Sequence, residues 1–517
     1  MSTRSFFFLM IFLGSMTGLS TIPAPGLQLF SFIGLSGLFY IFDHPLFSKK
    51  IPLWMGCFGF GYFLISLHWI VFSLHVNWGL YYYLIPFALL GLPVFFGFYY
   101  ALIFWVFPWH KSRKIRPLYF AMLWTVLEII RAEFLTGFPW ASLGTIWTTF
   151  LPIAQIASLI GPYGLSFFTV LWGIFPCIFL SPIYSVVQKK LYGIVVLITI
   201  GGTWIYGTYR LQIPTQYTEK TIRLVQPNSP QEFQWTQKKM ARQLEEFVQL
   251  SNKPCMHKLQ AVIWPEFSLP LALQVYPWMA DFVRRSVPAD GVLITNGFFY
   301  EREAFGYKAY NATLVFDDTL QLTEVYGKHR LLPFGEYIPF RSLIDGILPG
   351  QIHKMSGGMG DFAFGSGPKV LVLQNLPPIL PMICHESIFS GAFHGEALHQ
   401  AQWILALTND GWFLNSLGPY QHLEIARMRA IETGLPLVRV ANTGITAVID
   451  PLGRTVIDIP YGEQRVIDVM LPRALESKTF YARHIGKDFY PVLARFFELV
   501  VFVLFLFKWY QQKKRKI

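Results

Sequence analysis

Apolar residues run in long blocks up to about residue 209, then in short alternating stretches, then in one more block near the C-terminus. A helix that crosses a bilayer needs about 20 mostly apolar residues. On that measure the first part holds seven candidate spans, at residues 6–19, 27–42, 51–74, 80–107, 117–134, 153–180 and 192–208, and an eighth lies at 491–507. The first two are short. The fourth and sixth are long and contain Pro and Gly, which predicts kinks or re-entrant stretches.

Between the seventh and eighth blocks the pattern changes. Strands are predicted at 221–225, 261–264, 291–295, 313–316, 370–373, 380–383, 403–407, 437–440 and 446–449. Residues 419–434 read as a helix, with Leu423, Ala426, Met428 and Ile431 near one face and Gly434 as its stop. Alternation of apolar strands with helices predicts an α/β layered domain. Residues 349–368 are rich in Gly and Ser and read as a mobile loop. The expected domains are residues 1–209 (membrane helices), 210–487 (the α/β domain) and 488–517 (a last span and a basic tail).

Composition agrees with this division. Of 517 residues, 53% are hydrophobic and 14% charged, with a mean hydropathy of +0.41. A soluble globular chain carries about 25% charge, so an ordinary soluble enzyme and a disordered chain are both excluded. The net charge of +12 would suit a nucleic-acid binder, but much of it sits in short clusters between apolar blocks. Arg4, Lys49–Lys50, Lys111–Arg116, Lys189–Lys190 and the Lys513–Lys516 run all fall on one side if the N-terminus is cytoplasmic and eight spans follow. The loops at 20–26 and 74–79 fall on the other side and hold no Lys or Arg. This places the α/β domain outside the cytoplasm. The first block also has the n- and h-regions of a signal peptide, but no A-x-A-like site follows, and retention is expected. Charges near the end of the fifth span, Glu128, Arg131 and Glu133, are expected to snorkel to the outer boundary.

Three apolar runs in the α/β domain end abruptly in a reactive side chain. They are Val262-Ile263-Trp264-Pro265-Glu266, Val325-Tyr326-Gly327-Lys328 and Pro381-Met382-Ile383-Cys384-His385-Glu386. Sites in α/β folds gather at strand ends. A thiol is mostly protonated at neutral pH. A neighbouring Lys lowers its pKa, and a Glu takes its proton and returns it to a leaving group. The same Lys, with the backbone N–H after Cys384, is placed to stabilise an oxyanion. A buried structural Cys and two solvated charges would satisfy the spacing equally well. No Cys/His cluster has metal-ligand spacing, and no phosphate-binding Gly loop joins a strand to a helix. Four cysteines are too few for a disulfide scaffold, and no Cys255–Cys384 bond is expected.

Together the three segments resemble the Glu–Lys–Cys hydrolases of the nitrilase-type carbon–nitrogen hydrolase superfamily. Nearly the whole chain is similar to the apolipoprotein N-acyltransferase family. The resemblance rests on Trp264-Pro265-Glu266-Phe267-Ser268, on Tyr326-Gly327-Lys328 through Pro333-Phe334-Gly335-Glu336, and on Ile383-Cys384-His385-Glu386. It also rests on Asn409-Asp410-Gly411-Trp412-Phe413, Pro419-Tyr420-Gln421-His422, Asn442-Thr443-Gly444, and Leu135-Thr136-Gly137-Phe138-Pro139-Trp140.

The resemblance implies a membrane protein of about eight transmembrane helices with a periplasmic nitrilase-like αββα sandwich. In it Cys384 is the nucleophile, Glu266 the general base and Lys328 the oxyanion stabiliser. Glu336 and Glu386 support them, and Trp235, Trp412 and His385 meet the substrate. His385 stands where an aromatic residue, usually Tyr, is expected. The implied reaction moves an acyl chain from a phospholipid, typically phosphatidylethanolamine, through a thioester to the α-amine of a diacylglyceryl-cysteine lipoprotein. It needs no cofactor, metal or nucleic acid, and implies a monomer in the bacterial inner membrane. Residues 269–273, 276–279 and 343–348 are candidate rims for acyl chains. A membrane-anchored amidase or nitrilase, and a non-catalytic transporter or sensor, are the competing readings.

Overall fold

The computed structural model describes residues 3–43, 50–77, 82–107, 112–134, 136–230, 236–303, 306–347, 360–391 and 395–485, with 492, 493 and 495. Most of the expected last span (491–507), part of the 349–368 loop, and Trp235 lie outside the described residues. The chain divides into two compact units, one of residues 1–213, 416–432 and 479–517, the other of 214–415 and 433–478.

The first unit is helical. Among the described residues, four of its helices are long and apolar enough to cross a membrane: Ile51–His75, Tyr82–Val106, Ala157–Leu180 and Val186–Arg210. Arg4–Leu19 and Leu29–Asp43 are shorter apolar helices. Close packing is set by small residues. Gly14 lies against the backbone of Phe58, and Gly61 against that of Ile11, leaving no room for a Cβ at either glycine.

The helix Arg116–Glu133 corrects one expectation. Glu128 and Arg131 are buried rather than snorkelling. The chain turns back after this helix and brings partners to both. Glu128 accepts from Trp124 Nε1 (3.1 Å), Ser142 Oγ (3.0 Å) and the Leu143 N–H (2.8 Å). Arg131 donates to the carbonyls of Phe138 (2.6 Å) and Trp140. Buried charge is tolerated where such bonds replace water.

The Leu417–Thr433 helix also belongs to this unit up to residue 432, and ends where Gly434 takes φ +76°. Gln421 fixes it. Its Oε1 accepts from both Trp69 Nε1 (2.9 Å) and Trp140 Nε1 (2.8 Å), and its Nε2 donates to the Thr21 carbonyl (3.1 Å).

Among the described residues, the second unit holds two six-stranded sheets. Its strands are β1 (Tyr217–Gln226), β2 (Leu259–Ile263), β3 (Val292–Glu303), β4 (Gly306–Asp317), β5 (Leu322–Gly327), β6 (Leu371–Leu373), β7 (Leu376–Ile383), β8 (Trp403–Thr408), β9 (Leu437–Ala441), β10 (Thr446–Ile449), β11 (Thr455–Ile459) and β12 (Arg465–Pro472). The sheet orders are β12-β1-β2-β3-β4-β5 and β11-β10-β9-β8-β7-β6. In each, three central strands run parallel: β1-β2-β3 and β7-β8-β9. Val262 packs with Leu244, Phe247 and Leu250 of the Gln237–Ser251 helix, and with Met279 and Val283. Ala261 and Ile263 alternate to the opposite face of β2 and are fully buried too. A strand buried on both faces needs a layer on each side, and β9 and β7 lie against β1 and β4. All nine expected strands are present. The edge strands β11 and β12 and most of β5 were missed, because their exposed positions carry polar and charged residues.

Candidate functional site

Four neighbouring strands set out one side of the site in order. Glu266 follows β2, Asn296 is on β3, Asn311 is on β4 and Lys328 follows β5. All four side chains are buried. Antiparallel register pairs Ala312 with Gly327, and the Lys328 N–H donates to the Asn311 carbonyl at 2.8 Å. Asn311 is the hub. Its amide nitrogen donates to Glu266 Oε1 (3.1 Å) and Glu336 Oε1 (2.8 Å), and its Oδ1 accepts from Asn296 Nδ2 (2.9 Å). Lys328 Nζ lies 2.9 Å from Glu336 and 3.8 Å from Glu266. Glu336 is held in turn by the Leu332 N–H at 2.8 Å.

The other sheet supplies the thiol. Ile383 ends β7, and Cys384 turns into the left-handed region at φ +52°. That conformation is costly for a residue with a Cβ and occurs where surrounding structure holds it. Cys384 is partly exposed, and its thiol lies within hydrogen-bonding reach of Glu266 and Thr408. Asn409, at the end of β8, donates its N–H to Glu266 Oε2 at 3.1 Å. Both Glu266 oxygens are therefore engaged, one by each sheet. Beneath lies a fully buried ion pair, Asp410 to Arg439 at 2.5 Å.

These surroundings set the protonation states. Burial, with the Glu336 charge adding to it, lifts the Glu266 carboxyl from 4.5 to about 7, against the opposing pull of Lys328. Burial and the Glu266 carboxylate push the Cys384 thiol well above its ordinary value. For Lys328 burial acts the other way, but the carboxylates of Glu336 and Glu266 outweigh it and hold the ammonium charged. The thiol thus stays protonated at neutral pH and needs a base. The adjacent carboxyl titrates where a base works best.

Glu386 is fully buried and accepts from the backbone N–H groups of Ile383 (2.8 Å), His329 (2.9 Å) and Arg330 (3.1 Å). Burial alone would raise its pKa, but the His329 hydrogen bond and charge, the Lys328 charge and the Ile383 N–H together outweigh it, and the carboxyl is lowered. His385 is buried with its ring 5.6 Å from that of Phe389. Trp412 sits half-buried in the short turn Asp410–Phe413. Glu266, Lys328, Cys384 and Glu336 are therefore brought together, with Glu386 beneath the thiol's turn. Sequence reasoning missed Asn311 and Asn296. Their one signal is an uncharged polar side chain in the middle of a strand.

The 269–273 stretch is core rather than rim: Leu269 is fully buried, and Leu271 and Leu273 pack against that core. The 276–279 stretch is divided, with Met279 buried and Trp278 packed on the core while Tyr276 and Pro277 are exposed. Leu343 is exposed, as are Phe334 and Phe340 on the same stretch. Among the described residues, no cluster of three or more His, Cys, Asp or Glu side chains is arranged to hold a metal ion.

The carbon-nitrogen hydrolase family matches residues 221–479, and the apolipoprotein N-acyltransferase N-terminal domain matches residues 13–175. An amidase from Nesterenkonia sp. is similar at 14% identity and a TM-score of 0.33, over 49% of this chain and 93% of that one. An apolipoprotein N-acyltransferase of Rhodopseudomonas palustris is 36% identical over 82% of this chain and 81% of its own length. One from Rickettsia typhi is 31% identical over 91% of this chain and 93% of its own. Matched by both family models and, at 31% and 36% identity, along most of its length, the chain belongs to the apolipoprotein N-acyltransferase family.

Proposed function

We propose that the chain transfers an acyl chain from a phospholipid to the N-terminal α-amine of a diacylglyceryl-cysteine lipoprotein, through a thioester on Cys384. The observation that carries this reading is the meeting of the buried Glu266 and Lys328 with the Cys384 thiol in a chain of this family. Cys384 Sγ attacks the ester carbonyl of the donor as its proton moves to Glu266. The tetrahedral oxyanion faces Lys328 Nζ and the backbone N–H that follows Cys384. Glu266 returns the proton to the departing glycerol oxygen, which leaves a lysophospholipid and the thioester. The lipoprotein amine then attacks the thioester. Glu266 takes its proton and hands it back to sulfur as the amide forms. Glu336 anchors Lys328 and Glu386 supports the thiol's turn. Trp412 and His385, with Trp235 outside the described residues, are the residues proposed to meet the substrate.

Both substrates reside in a membrane, which is why an enzyme of this chemistry carries apolar helices. We take the chain to span the bacterial inner membrane eight times, with the α/β domain in the periplasm, and to act as a monomer. Residues 1–209, 210–487 and 488–517 are then its three segments, and phosphatidylethanolamine is the expected donor. The acceptor separates this reading from an amidase. Given the lipid donor and a diacylglyceryl-cysteine peptide, the protein should form the peptide's N-acyl amide. Free fatty acid as the sole product would contradict it.

A further inference from the structure

Glu386 is joined to His329 by more than a backbone bond. Imidazole Nδ1 of His329 lies 2.8 Å from Glu386 Oε1 and 2.7 Å from the Tyr326 hydroxyl oxygen. That hydroxyl itself lies 3.1 and 3.0 Å from the two Glu386 oxygens. An ionised carboxylate only accepts, and Tyr326 has one hydrogen to give. If Tyr326 gave it to Nδ1, the imidazole lone pair would be spent on the phenol while a carboxylate oxygen stood beside it with no proton between. The consistent arrangement has Tyr326 donating to Glu386 and Nδ1 carrying the second hydrogen. Nδ1–H then points at Glu386. His329 is nearly buried and Glu386 wholly so, so these bonds act away from water, where they are strong. The Arg330 guanidinium is stacked 4.3 Å over the Phe389 ring.

The carboxylate held in this way joins two segments. One oxygen takes the N–H of Ile383, the residue before Cys384. The other takes the N–H groups of His329 and Arg330, the residues after Lys328. The separation of Cys384 from Lys328 is therefore fixed through one side chain. We propose that His329 is a positioning residue for the reaction: its Nδ1–H orients Glu386, and Glu386 keeps the left-handed turn at Cys384 in register with Lys328. This rests on Cys384 being the nucleophile. Displacing a reacting group by a fraction of an ångström lowers turnover more than it changes binding.

The test uses the full chain in detergent, with His329→Phe and His329→Gln beside the parent. Phe keeps a ring and removes the N–H, whereas Gln keeps an N–H without the ring. Two readouts are taken: kcat and KM for acyl transfer from a phospholipid, and the rate at which iodoacetamide alkylates Cys384. His329→Phe should lose about tenfold in kcat with KM within about twofold, and alkylation should slow by a similar factor. His329→Gln should keep at least about half of the parent's kcat. Parent-like kcat in His329→Phe, equal impairment in His329→Gln, or a change confined to KM would each overturn the proposal. If His329→Phe does not fold, His329→Ala replaces it under the same criteria. Cys384→Ala is run alongside. Transfer that survives in it would remove the nucleophile assignment itself, separately from any result at His329.

Discussion

Asn409 donates its backbone N–H to Glu266 across the gap between the two sheets, at 3.1 Å. The bond leaves the second Glu266 oxygen facing Asn311 and Lys328, so the carboxyl is fixed before any substrate arrives. Burial lifts it to about 7, and this sets a pH dependence. Protonated Glu266 cannot accept the thiol proton, so activity should fall as pH drops through about 7 and level off above it. Glu266→Gln should abolish acyl transfer at every pH. A kcat/KM profile that stays flat from pH 5 to pH 8 would contradict the assignment of the base.

Glu336 acts on the same limb. Its charge raises the Glu266 carboxyl, and its carboxylate lies 2.9 Å from Lys328. Glu336→Gln removes that charge and turns Lys328 toward Glu266. The acid limb should therefore move to lower pH while the maximal rate falls. A limb that moves to higher pH would show that Glu336 is not what raises Glu266.

Asp410 and Arg439 form a pair with no solvent contact on either side chain. Removing one partner of such a pair leaves the other's charge buried and costs about 3–5 kcal/mol. Asp410→Ala should lower the thermal midpoint by several degrees, and Asp410→Leu combined with Arg439→Met should recover part of that loss. An unchanged midpoint in Asp410→Ala would mean that water reaches the pair.

Gln421 gives the helical unit a comparable test. Gln421→Leu takes the shared acceptor from the indoles of Trp69 and Trp140 and the donor from Thr21. A buried group that loses its partner costs about 1–3 kcal/mol. The full chain in detergent should melt earlier by a matching amount. Parent-like melting would mean that the Leu417–Thr433 helix is held by apolar packing alone.

The sequence carried the site better than it carried the site's supports. Glu266, Lys328 and Cys384 each end an apolar run, and that break in pattern is visible without coordinates. The side chains that hold them are not, because hydrogen-bond partners are set by which strands become neighbours. Asn311 acts on Glu266 from 45 positions away, and Asp410 finds Arg439 across 29. Glu128 and Arg131 were misplaced for the same reason. Hydropathy located them near the end of a span, whereas their burial depends on the Phe138–Leu143 turn folding back to bond them. Edge strands such as β12 escaped because one of their faces meets water.

The proposed chemistry requires a thioester on Cys384. The protein is incubated with phosphatidylethanolamine carrying a tagged acyl chain and then denatured. The protein should carry a covalent label that hydroxylamine releases, that Cys384→Ala abolishes, and that a diacylglyceryl-cysteine peptide removes as its N-acyl product. Folded protein that takes up no label, or keeps it in Cys384→Ala, would contradict the account.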